Sequence, residues 1–85
     1  MFYVYIIKSK KDDNLYIGYT DNLVRRIKEH NSGLVASTKS RSPFYPVYCE
    51  IYASKAEALK REHNLKLRSK AWAQLCLRIK ESLKT

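Results

Sequence analysis

A guanidinium and an imidazole lie four residues apart in the segment that follows Asn22. In a helix, Arg26 and His30 occupy one narrow stripe beside the apolar stripe of Leu23 and Ile27. That position suits a site in which charge is held rigidly near a sheet. The spacing also allows plainer roles, with Arg26 as a solvated helix cation and His30 as a C-terminal histidine favoured by the helix dipole.

Glu62 is a carboxylate on the apolar side of another predicted helix. The apolar arc of this helix is formed by Ala58, Leu59 and Leu65. The same helical wheel places Glu62 inside that arc. Because burying a lone carboxylate is costly, the pattern predicts either a metal ligand or a buried salt bridge, for instance to Arg26. One carboxylate is a sparse metal site, which favours a hard cation such as Mg²⁺ or Mn²⁺ that keeps several waters.

The charge of the chain indicates a polyanionic partner. Seventeen Lys and Arg against eight Asp and Glu give a formal net charge of +9 in 85 residues. Basic side chains gain free energy by releasing counterions from phosphates. From the length we expect a single domain, residues 1–85, in which substrate contacts and chemistry share one surface. A ribosome-associated or simply basic protein is the plainer alternative.

Cysteine placement and hydropathy suggest the setting of the protein. Cys49 and Cys76 lie far apart and form no C-x-x-C pair, so the sequence indicates neither a disulfide framework nor a zinc knuckle. The apolar run Phe2–Ile7 is too short for a secretory leader, and no segment approaches the roughly twenty apolar residues of a membrane span. We therefore expect a soluble, cytoplasmic protein that has no contact with a membrane.

The elements that position these side chains begin with a hairpin. Phe2–Ile7 is β-branched and aromatic on both alternating faces, which predicts a strand buried on two sides. Lys10–Asn14 supplies turn residues, and Leu15–Tyr19 resumes the same pattern as a second strand. Gly18 in that strand is either a point where substrate approaches the backbone closely or a β-bulge.

The rest of the chain predicts, in order, a helix, a basic loop, a strand and two helices. Their bounds are a helix from the N-cap candidates Thr20–Asn22 to Asn31–Gly33, a loop over Leu34–Pro46, a strand over Val47–Tyr52, a helix from the capping box Ser54–Glu57 to about Leu67, and a helix capped by Ser69. One face of the last helix carries the core anchors Trp72, Leu75, Cys76, Ile79 and Leu83. The predicted fold is therefore α+β, a three-stranded antiparallel sheet flanked by helices in the order β-β-α-β-α-α.

Two tripeptides on the predicted hairpin, Tyr3-Val4-Tyr5 and Tyr16-Ile17-Gly18, resemble the motifs for which the GIY-YIG nucleases are named. Arg26 lies ten residues after Tyr16 and His30 four residues beyond that, as in the helix motif of this family. Ala58–Glu62 is similar to the helix that supplies the metal-binding glutamate of the family. The resemblance spans roughly residues 3–66 and is closest to the small stand-alone bacterial members.

The resemblance implies a metal-dependent endonuclease with five catalytic residues, Tyr5, Tyr16, Arg26, His30 and Glu62. Glu62 would bind Mg²⁺ or Mn²⁺, and Arg26 would clamp the scissile phosphate. Tyr5 would act as general base, which requires its pKa to be depressed from the reference value of about 10. His30 and Tyr16 would orient or share that proton, in an order that the sequence leaves open.

Two positions depart from the family pattern. Tyr3 stands where the motif has Gly, at a position that packs rather than reacts. Some members carry an Asn near the metal on the last helix, where Gln74 is the only amide here, so we expect metal to be held less firmly than in those members. Four other tyrosines are predicted to be core residues whose hydroxyls reach a surface partner: Tyr3, Tyr45, Tyr48 and Tyr52.

Nucleic acid, and DNA before RNA, is the expected partner. Lys39 and Arg41 in the basic loop, together with Arg26, are the candidate phosphate contacts. Two alternatives stay open: a nucleic-acid-binding module without catalysis, and a small protein whose basic face docks on an acidic protein. The sequence favours neither a monomer nor a dimer.

Overall fold

Three strands form one antiparallel sheet in the order β2-β1-β3. The computed structural model describes residues 1–85. Its elements are β1 (Phe2–Ser9), β2 (Leu15–Thr20), α1 (Leu23–Asn31), β3 (Phe44–Tyr52), α2 (Lys55–Lys66), α3 (Lys70–Arg78) and α4 (Lys80–Leu83). The predicted α+β class is confirmed, with a three-stranded antiparallel sheet and flanking helices. No helix combines the length and the apolar character needed to span a membrane.

The central strand β1 is buried on both faces because helices cover the sheet from both sides. On one face Val4 and Ile6 pack with α2 and α3, in an aliphatic cluster that includes Leu65 and Leu75. On the other face Tyr5 and Ile7 form a smaller cluster with Phe44, against which residues of α1 pack. The two-residue period of a strand sends alternate side chains to the two clusters.

Side-chain caps fix where two helices begin. The Asn22 side chain accepts a hydrogen bond of 3.1 Å from the Arg25 amide at the start of α1. Ser54 accepts one of 3.3 Å from the Glu57 amide at the start of α2. Each bond satisfies an amide that has no partner inside its helix. Ser69 occupies the predicted N-cap position of α3, but its side chain makes no capping hydrogen bond.

Three predicted bounds or positions are corrected. Strand β3 begins at Phe44 rather than Val47, because a register shift opposite Ile6 and Ile7 accommodates Pro46 in an edge strand. The predicted loop contains a 3-10 turn over Lys39–Arg41. The last predicted helix is two helices, α3 and α4, because the backbone leaves helical geometry at Ile79.

Leu59 belongs to the predicted apolar arc of α2, but it is 40% exposed. Ala58 and Leu65 of the same arc are fully buried in the aliphatic cluster. The core-facing surface of α2 is therefore narrower than the sequence pattern suggests, and Leu59 lies outside it.

Candidate active site

Tyr5 lies in the middle of β1, directly opposite Gly18 of β2. A Cβ atom at position 18 would come within 2.2 Å of both Cζ and the hydroxyl oxygen of Tyr5. The ring of Tyr5 therefore occupies the space above Gly18. Both interpretations of Gly18 from the sequence are corrected: the pairing of β1 with β2 runs without a bulge there, and the close neighbour is a side chain of the protein itself.

A chain of hydrogen bonds runs inward from the Tyr5 hydroxyl. Thr38 donates its hydroxyl proton to the Val35 carbonyl at 3.4 Å and so accepts from His30 Nδ1–H at 2.7 Å. His30 Nε2 is then the acceptor for the Tyr5 hydroxyl at 2.8 Å. Tyr5, His30 and Thr38 are all buried, with almost no exposed surface.

Burial fixes the protonation states along this chain. The pKa of His30 is lowered to about 4, first by burial and then by the nearby positive charge of Arg26. His30 is therefore a neutral imidazole at neutral pH, and the interpretation of a charged histidine favoured by the helix dipole is wrong. Burial raises the pKa of Tyr5 to about 12, against the opposing effect of Arg26. The depression of the Tyr5 pKa that a free phenolate base would require is not what the protein by itself produces.

Tyr16 closes the group on its outer side. Its ring centroid lies 6.5 Å from that of Tyr5 and 5.1 Å from that of His30, with an edge-on arrangement to the imidazole. Tyr16 is half-buried, whereas Tyr5 is fully buried. The three rings expected at the site are therefore in mutual contact, and Tyr16 is the one that reaches the surface.

Arg26 is brought to the same place by α1. Its Nη1 donates to Glu29 Oε1 at 3.0 Å, and its side chain is 34% exposed. The pKa of Arg26 is raised, chiefly by that Glu29 hydrogen bond and in part by its proximity to Tyr5. Arg26 is thus held on one side by a carboxylate, while most of its five N–H donors stay available.

Glu62 approaches from α2 and is half-buried. Its carboxylate pairs with Lys66 at 3.1 Å, and its side chain is 19% exposed. The suggested salt bridge to Arg26 is wrong, because Arg26 pairs with Glu29 instead. The charge of Glu62 contributes to the raised pKa of Tyr5, after burial and the effect of Tyr16. Lys66, the ion-pair partner of Glu62, has its Nζ 5.9 Å from the centroid of the Tyr16 ring, so Glu62 lies beside the three rings.

The donor set decides which metal this place could hold. No group of three or more His, Cys, Asp or Glu side chains lies close enough together to bind an ion. Glu62 supplies one half-buried carboxylate, which fits a hard cation that keeps several waters and takes its other ligands from a phosphate. It does not fit zinc, whose structural sites use four protein ligands and whose catalytic sites use three.

The two predicted phosphate contacts of the basic loop have different surroundings. Arg41 donates to Asp12 Oδ2 at 2.9 Å, and its guanidinium lies 5.3 Å from the centroid of the Phe44 ring. Lys39 is exposed and forms no ion pair. Neither side chain is hydrogen-bonded to a member of the Tyr5 group. Arg41 therefore connects its own turn to the β1–β2 turn, and only Lys39 is free to meet a ligand.

Sequence reasoning missed three side chains of the site. Glu29 and Lys66 stand three and four residues after Arg26 and Glu62, a helical spacing at which ion pairs form, so this signal was present. Thr38 lies in a segment without periodicity, and only the fold brings it to His30. No local pattern could have identified Thr38.

A second polar cluster lies on β3, away from the Tyr5 group. Glu50 accepts hydrogen bonds of 2.7 Å from the hydroxyls of both Tyr48 and Tyr52. Arg61 donates to both oxygens of the same carboxylate, at 2.9 and 3.0 Å. The hydroxyls of the two tyrosines therefore reach a polar partner as predicted, and Arg61 is half-buried. This cluster holds α2 against β3.

Comparison with known proteins points to one family. A family model described as the GIY-YIG catalytic domain matches residues 1–75. The chain is 51% identical over 65 residues to a UPF0213 protein of Staphylococcus haemolyticus, covering 75% of this chain and 78% of the relative. It is 44% identical over 70 residues to a UPF0213 protein of Natronomonas pharaonis, covering 81% of each. The solution NMR structure of a UPF0213 protein from Bacillus halodurans is similar with a TM-score of 0.57 and 36% identity, covering 100% of this chain and 95% of that one.

Proposed function

Because the chain belongs to the GIY-YIG family of nucleases, we propose that it is a metal-dependent endonuclease that hydrolyses phosphodiester bonds in nucleic acid, with DNA as the first candidate. The observation that carries this proposal is the buried hydrogen-bond chain from Tyr5 to His30 and Thr38, next to Arg26 and Glu62. A neutral imidazole that can accept a proton, a guanidinium and a carboxylate thus lie close together on a protein with a large positive net charge.

Arg26 is the residue that binds the scissile phosphate. Glu29 occupies one of its terminal nitrogens and fixes the orientation of the guanidinium. The remaining donors match two phosphate oxygens in a bidentate arrangement, which a lysine could not reproduce. Arg26 would then stabilise the negative charge that builds on those oxygens as the bond breaks.

Tyr5 and His30 move the proton of the attacking water. As the water oxygen bonds to phosphorus, its proton goes to the Tyr5 oxygen, and the Tyr5 proton goes to His30 Nε2. The leaving oxygen keeps the electrons of the broken P–O bond and takes a proton from solvent. In this relay Tyr5 is never a free phenolate, which fits its raised pKa of about 12. The low pKa of His30, about 4, then favours rapid return of the proton.

Glu62 is the residue that would hold Mg²⁺ or Mn²⁺. A bound cation of this kind supplies Lewis-acid stabilisation of charge on the phosphate oxygens. Lys66 balances the charge of Glu62 in the protein alone, at 3.1 Å. Since this pair is partly open to solvent, its contribution to stability is small, and exchange of Lys66 for a cation costs little free energy.

The net charge of +9 also supports a second candidate, a nucleic-acid-binding module without catalysis. A panel of labelled single-stranded, duplex and branched DNA and of RNA separates the two, incubated with Mg²⁺, Mn²⁺ or EDTA. We expect cleavage of at least one DNA with a divalent cation and none in EDTA. Binding without cleavage under all conditions would favour the module. The absence of binding to every member of the panel would favour an acidic protein partner instead.

A further inference from the structure

Two clefts open at opposite ends of the edge strand β2. One, of about 300 Å³, is lined by Tyr19 and Thr20 at the end of the strand and contains the cationic side chains Arg25, Arg26 and Lys55. Two carboxylates also line this cleft, Asp21 paired with Arg25 and Glu29 paired with Arg26, so Lys55 is its unpaired cation. The other, of about 290 Å³, is lined by residues 15–17 at the start of the strand and contains Lys66 and Arg68. Each cleft therefore combines the free edge of the sheet with cations from the helices.

Helix α2 runs alongside β2 in the opposite direction and connects the two clefts. Lys55, at its first residue, shares the first cleft with Tyr19 and Thr20. Lys66, at its last residue, has its Nζ 5.9 Å from the centroid of the Tyr16 ring in the second cleft. The strand and the helix each cover about 17 Å between these ends.

The catalytic group lies between the clefts. The Tyr5 ring sits on Gly18, which is the middle of β2, and the charge of Glu62 acts on Tyr5 from the helix side. Arg26 belongs both to this group and to the first cleft. The order along the edge is therefore the cleft that contains Lys55, the catalytic group, and the cleft that contains Arg68.

The outermost cations of the two clefts have no acidic partner. Lys55 and Arg68 are exposed and form no salt bridge, whereas Arg25 pairs with Asp21 at 3.0 Å. Arg68 has its guanidinium 4.5 Å from the centroid of the Trp72 ring, which restricts its position, and its backbone has a left-handed φ of 56°. A cation held in this way beside an open cleft is ready to meet an anion.

We propose that one backbone strand of the nucleic acid runs along β2, with the scissile phosphate at Arg26 and flanking phosphates bound by Lys55 on one side and Arg68 on the other. This inference rests on the proposed function. A length of about 17 Å is enough for the scissile phosphate and a flanking phosphate on each side of it. Because such contacts read the backbone and not the bases, the substrate is selected by its backbone shape rather than by its sequence.

The test is fluorescence anisotropy of a labelled DNA oligonucleotide with the full chain in EDTA, as a function of salt. Lys55→Ala and Arg68→Asn each remove one cation, and Asn suits the left-handed backbone at position 68. We expect each change to weaken binding about 3–10-fold and to reduce the salt slope by about one, with the double variant losing about two. Lys80→Ala is the matched control, because Lys80 is an exposed lysine on α4, which packs by β3 at the far edge of the sheet.

The outcomes are distinct. Two results would overturn the proposal. One is that Lys80→Ala weakens DNA binding as much as the other changes do. The other is that Lys55→Ala and Arg68→Asn both melt normally and leave the salt dependence of binding unchanged. The assay measures binding without turnover. If binding depends on Lys55 and Arg68 but the chain cleaves no nucleic acid, the proposed path along β2 holds and the nuclease activity is refuted. Cleavage of nucleic acid, combined with salt slopes that Lys55→Ala and Arg68→Asn leave unchanged, would refute the proposed path along β2 and leave the nuclease activity standing.

Discussion

The two faces of the sheet are built from different chemistry. The face under α2 and α3 is an aliphatic cluster of seven buried residues, none of them titratable. The face under α1 buries Tyr5, His30 and Thr38 as well as apolar side chains. Burying polar groups costs free energy unless each finds a partner, and every buried side-chain polar atom here has one. The first face accounts for stability, and the second holds groups that stability alone does not require.

The two half-buried carboxylates of the sheet and α2 repeat this contrast. The side chain of Glu50 is 15% exposed and accepts hydrogen bonds from two tyrosine hydroxyls and from Nε and Nη2 of Arg61. Glu62 is similarly exposed, at 19%, but has one partner, Lys66. A carboxylate with all its partners in place is a structural group. A carboxylate with one exchangeable partner beside a proton relay is available for a ligand.

Removal of the Tyr5 hydroxyl breaks the polar face most directly. We expect Tyr5→Phe to lower the cleavage rate by about 10²–10⁴, because the proton acceptor for water is lost. The ring still fills the space above Gly18, but the buried Nε2 of His30 loses its hydrogen-bond partner. We therefore expect a loss of about 1–3 kcal/mol of stability, and cleavage is compared per folded molecule. Tyr48→Phe is the control: it removes one hydrogen bond to Glu50 and should cost about 1 kcal/mol of stability without loss of cleavage. Equal cleavage by Tyr5→Phe and the parent protein would remove the relay.

The depressed pKa of His30 predicts how stability depends on pH. The unfolded chain binds a proton at position 30 near pH 6.5, whereas the folded protein does so only near 4. Between these two pH values the unfolded state carries more protons than the folded state. The stability that the neutral His30 contributes is therefore fully present above pH 6.5 and is lost as the pH falls toward 4. We expect the melting temperature to fall by several degrees across that window.

The matched control for this pH dependence is the second histidine. His30→Gln should flatten the dependence of the melting temperature between pH 6.5 and 4, whereas the same change at the exposed His63 should preserve it. If His30→Gln instead keeps the pH dependence and the change at His63 removes it, His30 does not have a depressed pKa and the relay has no neutral acceptor.

The smallest effect is expected at Thr38, which acts through His30. Thr38→Val keeps the volume but removes the acceptor for the Nδ1 proton. We expect cleavage to fall about tenfold, since the imidazole can then adopt the other tautomer and lose the acceptor at Nε2. Nitrogen chemical shifts of His30 give the readout that a purely structural role would leave unchanged. A Thr38→Val variant that keeps the Nδ1–H tautomer and full activity would contradict the assigned orientation of the hydrogen-bond chain.

Much of the fold could be predicted from local patterns, and the site only in part. The hairpin, α1 and α2 follow from alternation and from the caps at Asn22 and Ser54. The early start of β3 could not, because Phe44 and Pro46 pair with β1 through a register shift that depends on the partner strand.

For the site, the resemblance assigns Tyr5, Arg26 and Glu62 to one place, and the structure brings them together. The direction of the Tyr5 pKa shift depends on how deeply distant segments bury the ring, which residue types and spacing do not encode. Thr38 was missed for the same reason, since it reaches His30 only through the fold of an aperiodic segment.

The central claim, that one half-buried carboxylate serves the chemistry and the other serves the fold, is tested by Glu62→Gln and Glu50→Gln side by side. Cleavage rates with Mg²⁺ and thermal melts are measured for both. We expect Glu62→Gln to lose about 10² or more in cleavage rate at nearly unchanged melting temperature, because the cation loses its ligand. Glu50→Gln should lose about 1–3 kcal/mol of stability and keep its activity per folded molecule. An active Glu62→Gln protein, or one inactive only because it unfolds, would contradict the account.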